Sequence, residues 1–103
     1  MKHLQKKVND WVSQYKDGYW DSFVILARLT EEVGELAREI NHLEGPKKKK
    51  PQENSNGLEE ELGDILFTVI CMANKKGIDL DRAFDSSINK CYGRDRERFE
   101  KCY

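Results

Sequence analysis

Apolar residues recur at steps of three and four over two long stretches: Leu26, Leu29, Val33, Leu36, Ile40 and Leu43 in one, Leu58, Leu62, Ile65, Val69 and Met72 in the other. That period belongs to one face of an α-helix, and two such faces on one chain are buried most simply by antiparallel packing. The spacing predicts helices over about residues 22–43 and 58–76. Shorter ones are expected over about 4–16 and from an Asp79 N-cap to near residue 92, with a short charged helix after Gly93. Gly18, Gly45, Gly77 and Gly93 each follow a periodic stretch, where a left-handed cap favours a residue without Cβ. Between 45 and 57 the chain carries Pro46, four lysines, Pro51 and Asn/Ser residues, which reads as a solvated loop.

No segment reads as a strand, so the expected class is all-α, a four- to five-helix bundle in one domain spanning residues 1–103. A chain of 103 residues has little room for a private core. Ile25, Ala37, Leu66, Phe67 and Ile70 lie off the two stripes and need cover of their own. A bundle completed by dimerisation follows, a homodimer first and a tetramer second. The 18 basic and 19 acidic side chains nearly cancel, giving a net charge of −1. Such a balance exerts no global pull on nucleic acid or anionic lipid, and neither partner is expected. The longest apolar run, Ile65 to Cys71, is far too short for a membrane span, and the N-terminus lacks a signal-peptide pattern, so a cytoplasmic protein is expected. Cys71, Cys91 and Cys102 have no metal-type spacing and read as reduced thiols.

The two long stretches share a second pattern. Glu31-Glu32-Val33-Gly34-Glu35-Leu36 and Glu60-Glu61-Leu62-Gly63-Asp64-Ile65 both read acid-acid-apolar-Gly-acid-apolar. Glu32 and Glu35, like Glu61 and Asp64, are three residues apart, so each pair projects from one helix face beside the apolar stripe. Packing the stripes brings the acids together. Carboxylates about 5 Å apart repel by about 3 kcal/mol per pair at an effective dielectric near 20, so a cation is needed between them. An all-oxygen ligand set selects a hard ion, Mg²⁺ or alternatively Mn²⁺, over zinc. Gly34 and Gly63 each cost their helix about 1 kcal/mol relative to Ala, which suggests a need for space beside the acids. The plainer reading of such acids is a solvated face on a chain that is 36% charged, and small residues also let helices approach without any ligand.

At these residues the chain resembles the MazG-like nucleotide pyrophosphohydrolases, an all-α family marked by Glu-Glu-x-x-Glu and, after a loop, Glu-x-x-Asp. Glu31-Glu32-Val33-Gly34-Glu35 and Glu61-Leu62-Gly63-Asp64 match both motifs. The similarity runs from about residue 5 to 98 and includes Gly77-Ile78-Asp79-Leu80 and the Lys-x-x-x-Arg of Lys90 and Arg94. The resemblance implies Mg²⁺-dependent hydrolysis of a nucleoside triphosphate, ordinary, deoxy or modified, to the monophosphate and pyrophosphate, in a nucleotide-pool house-cleaning role. It implies that Glu32, Glu35, Glu61 and Asp64 hold the metal and that Glu31 orients or deprotonates the attacking water. Lys90, Arg94 and, more weakly, Arg96 would contact phosphates.

Trp11, Tyr19 and Trp20 precede the first acidic motif and offer faces on which a nucleobase can stack, Trp20 being the preferred one; Asn74 could hydrogen-bond a base or sugar. Core or interface packing is the competing reading of these aromatics. Lys47 to Lys50 read as a solvated loop, against an arm that attracts polyphosphate. Two other functions compete. Glu39-Ile40-Asn41-His42 has the Glu-x-x-His spacing of di-iron carboxylate bundles, although His42 near a helix end reads as a surface residue complementing the helix dipole. The chain could also be a noncatalytic helical interaction or regulatory module whose acids bind a basic partner.

Overall fold

A computed structural model of the protein describes residues 1–46 and 57–102. Four helices follow one another: α1, Lys2–Val12; α2, Ser22–Glu44; α3, Gly57–Lys76; and α4, Leu80–Gly93. The described residues contain no strand, as expected of an all-α chain. The lysine run at 47–50 lies outside the described residues.

The helix ends have local causes. Asp21 caps α2 by accepting a hydrogen bond from the Phe23 N–H at 2.8 Å, and Asp79 caps α4 by accepting from the Asp81 N–H at 2.9 Å. At the end of α3, Gly77 takes a left-handed φ of 68°. The Ile78 N–H then reaches the Ala73 carbonyl and the Gly77 N–H the Asn74 carbonyl, the paired bonds of a Schellman cap. The other expected caps differ. Gly18 has φ 65° but lies in the turns after α1, which stops at Val12, and Gly45 ends α2 with φ −88°. Gly93 is itself helical, and residues 94–98 form turns rather than a fifth helix. That stretch has no apolar face to bury, and Asp95 closes a local turn by pairing with Arg98 at 3.1 Å.

The packing of α2 on α3 is the most extensive in the fold, and it is antiparallel. Glu39 meets Gly57, Glu32 meets Glu61 and Asp64, and Ile25 borders the same cavity as Thr68, so rising numbers on one helix face falling numbers on the other. The contact face differs from the stripe read in the sequence. On α2 the buried residues are Ile25, Glu32 and His42, whereas Leu26, Val33, Ile40 and Leu43 are 41–52% exposed. The acids are thus within the interface, not beside it, and His42 is buried rather than a surface residue. Helix α1 packs on α3 through Val8, Val12 and Ile70. It is fastened there by Gln5, whose Nε2 donates to the Asn74 Oδ1 and the Ile78 carbonyl while its Oε1 accepts from the Leu80 N–H.

Helix α4 buries no residue, and Phe84, Ile88 and Tyr92, one turn apart, are all exposed. The radius of gyration is 17.4 Å, against about 13 Å for a compact chain of this length. Ile70→Ala, which deletes the centre of the small α1–α3 core, is expected to lower stability by about 2–5 kcal/mol, read from urea unfolding at fixed protein concentration.

Candidate functional site

The antiparallel register of α2 and α3 sets Glu32 opposite Glu61 and Asp64, one ligand oxygen from each lying within 4.8 Å of the others. Glu35 also faces Glu61. Glu32 is 3% exposed, and its Oε1 accepts a 2.8 Å ion pair from Arg28 Nε one turn earlier on α2. Its Oε2 and the Oε2 of Glu61 are buried without a hydrogen-bond partner among the described residues. Ionised carboxylates have no proton to share, so these oxygens can satisfy each other only if one is protonated or if a cation lies between them. The same crowding acts on Glu61: hydrogen bonding to Glu32, burial, and then the Glu35 carboxylate raise its pKa from the ordinary 4.5 to about 8. An oxygen-only donor set with orphaned buried atoms suits a hard divalent cation.

Glu31, on the same helix, is exposed and outside this cluster. A Cβ at Gly34 or Gly63 would meet nothing within 4 Å, so in the single chain neither glycine is required by crowding.

Next to the acids lies a cavity of about 560 Å³. Its wall is aromatic, with Trp11, Tyr15, Tyr19, Trp20 and Phe67, and it shares Arg28, Glu32 and Asp64 with the acidic cluster. Trp11 stands edge-on to Tyr15 and Phe67, with ring centroids 5.1 and 5.9 Å away. Trp20 is 60% exposed, leaving an open face. Asn74 is not in this wall. Its amide donates to the Gln5 carbonyl at 2.9 Å and the Tyr19 hydroxyl at 2.8 Å, so both N–H groups are engaged in joining α3, α1 and Tyr19. Lys90 and Arg94 lie with Arg82, Asp85, Ser86 and Asn89 along a shallow surface of α4. Arg96 follows in the turns and pairs with Glu97 at 3.4 Å. None of these three cations lines the cavity that holds the acids.

Sequence reasoning missed Arg28, Tyr15 and Phe67. Arg28 had a signal, its position four residues before Glu32, and Tyr15 stands one turn after Trp11; Phe67 was visible only as an apolar residue off the stripe.

Four helices that pool carboxylates between the two longest, beside an aromatic cavity, define an all-α carboxylate protein. Comparison with known proteins gives the family. Residues 22–99 match the MazG nucleotide pyrophosphohydrolase domain, and the chain belongs to that family. It is 45% identical over 101 residues to YpjD, an uncharacterised protein of Bacillus subtilis (strain 168), covering 98% of this chain and 91% of that one. The crystal structure of a Bacillus-conserved MazG protein, a nucleotide pyrophosphohydrolase, superposes with a TM-score of 0.76 at 47% identity, covering 86% of this chain and 85% of that one. The crystal structure of the putative pyrophosphatase YPJD from Bacillus subtilis gives a TM-score of 0.79 at 46% identity, with 86% and 91% covered.

The raised pKa of Glu61 has a measurable effect on stability. Between pH 4.5 and about 8 the folded chain holds a proton that the unfolded chain has lost. Metal-free stability should therefore fall as pH rises through that window and level off above it. A divalent cation binds the ionised form, so the rise in Tm on adding Mn²⁺ should grow over the same window. Glu61→Gln should flatten both dependences in thermal melts followed by circular dichroism.

Proposed function

We propose that the protein hydrolyses a nucleoside triphosphate, ordinary, deoxy or modified, to the monophosphate and pyrophosphate, with Mg²⁺ as its natural cofactor and Mn²⁺ as a substitute. The carrying observation is the cluster of Glu32, Glu61 and Asp64, two of whose carboxylates have a buried oxygen without a hydrogen-bond partner among the described residues. Family membership supports the same reading.

In this reading Glu32, Glu35, Glu61 and Asp64 hold the ion. When bound, it neutralises phosphate oxygens and polarises the phosphoanhydride. The chain's own groups do the rest. Glu31, exposed and close in sequence to the ligands, orients the attacking water and accepts its proton as the new P–O bond forms and pyrophosphate departs. The aromatic cavity receives the base, with Trp20 stacking on it from the open side. Asn74 acts indirectly by holding Tyr19 in the wall.

Lys90, Arg94 and Arg96 reach the phosphates of a site completed by a second copy. The exposed stripe of α2, the unburied α4 and the extended shape support a homodimer, with a tetramer as the larger form. No helix among the described residues is long and apolar enough to cross a membrane. A cytoplasmic place and removal of unwanted nucleotides complete the proposal.

Pyrophosphate release from a panel of nucleoside triphosphates, with and without Mg²⁺, tests it. Turnover that requires the ion is expected. Glu35→Gln and Asp64→Asn should each cut the rate by about 100-fold or more with helicity unchanged, because ion-phosphate stabilisation is worth several kcal/mol. Absence of turnover on every triphosphate would point to the noncatalytic module, and visible absorption after anaerobic iron loading and oxygen exposure would point to the di-iron protein.

A further inference from the structure

The cations assigned from sequence to the phosphates all lie on or after α4, away from the acids. A triphosphate approaching Glu32, Glu35, Glu61 and Asp64 brings several further negative charges to a site that already has four carboxylates. An ion held between those carboxylates offsets only part of that. The cationic side chains lining the cavity are Lys16 and Arg28, and Arg28 touches the cluster.

Arg28 bridges two environments. Its Nε is committed to Glu32 Oε1 at 2.8 Å, but its side chain is 53% exposed while that of Glu32 is 3% exposed. The pair therefore straddles the boundary between interior and cavity. Glu32 is divided in the same way, with Oε1 held by Arg28 and Oε2 buried without a hydrogen-bond partner among the described residues. A guanidinium has five N–H donors in a rigid fork, and the Glu32 contact uses Nε. Among the described residues the terminal amino groups have no other ion pair and can take an anion, and paired N–H donors in one plane fit two oxygens of a phosphate.

We infer that Arg28 is a phosphate-binding residue of this site: Nε fixes Glu32 so that its other oxygen faces the cation, and the terminal amino groups bind the substrate phosphate nearest the nucleoside. The inference rests on the pyrophosphohydrolase reading and adds to it a residue that serves the carboxylate ligand and the substrate together. It places the first phosphate between the aromatic wall and the acids, because Arg28 lines the cavity that joins them. Lysine could supply a charge there but not the fork, so it could not hold both partners at once.

The test separates phosphate binding from support of the metal site. Affinities for Mn²⁺ alone, for a nucleoside, and for its monophosphate in the presence of Mn²⁺ are measured by calorimetry on wild type, Arg28→Gln and Arg28→Lys, with circular dichroism to confirm folding. The gain in affinity from nucleoside to monophosphate isolates the phosphate. In Arg28→Gln that gain should shrink by about 10- to 100-fold, the range for losing a charged hydrogen bond, and should do so beyond the smaller fall in Mn²⁺ affinity that follows when Glu32 loses its support. Arg28→Lys, which keeps the charge but not the fork, should recover only part of the gain and part of the Mn²⁺ affinity. An unchanged gain in Arg28→Gln, or a loss no larger than a parallel loss of Mn²⁺ affinity, would overturn the assignment. Mg²⁺-dependent pyrophosphate release by wild type alongside an unchanged gain would sink the Arg28 role alone. Absence of release from any triphosphate would remove the enzymatic reading and this inference with it.

Discussion

Like charges forced together between α2 and α3 are the constraint on which the rest of the structure depends. Apolar side chains alone would bury more cheaply, because placing Glu32 at 3% exposure and crowding Glu61 against it works against folding. The chain tolerates this through local measures: the Arg28 ion pair on one oxygen and a retained proton on Glu61. Both resemble what a divalent cation would do more completely. The centre of the α2–α3 interface is in this sense held by one guanidinium and by the raised pKa of Glu61.

Much of the architecture was legible because it follows from periodicity and capping. The four helices, the antiparallel pair, the Asp79 cap and the Gly77 reversal follow from spacing and from residues with one physical use each. The facing of α2 was not legible. Leu26, Val33 and Ile40 form a better apolar stripe than Ile25, Glu32 and Glu39, and a rule that buries apolar residues selects the former. The structure turns the helix so that its acids face inward and those leucine-type residues remain open, an inversion that hydrophobicity cannot signal within one chain. The site was partly legible for the same reason. Glu32, Glu61 and Asp64 announced themselves by spacing, whereas Asn74 looked like a ligand-binding amide, and only its bonds to Gln5 and Tyr19 show it holding the fold. The expected fifth helix failed because charge alone, without a face to bury, does not sustain one.

The outward stripe of α2 and the uncovered α4 describe one unmet need from two sides. A chain of this size that spends its best interior position on carboxylates has correspondingly less apolar burial for itself, and α4 is left with Phe84, Ile88 and Tyr92 exposed. The fold and the acidic cluster are thus linked: the position given to the carboxylates is apolar burial the chain does without.

The cavity also has a fixed measure. Its α3 contribution runs from Asp64 through Phe67 and Thr68 to Cys71 along one uninterrupted helix. Seven residues of helical rise amount to roughly 10 Å. The interval from Asp64 to Cys71 along the cavity is therefore set by a stiff rod and not by loops, so α3 works as a ruler. On the proposed reading, a guest is gauged by its length along that rod before any atom of its ring is inspected.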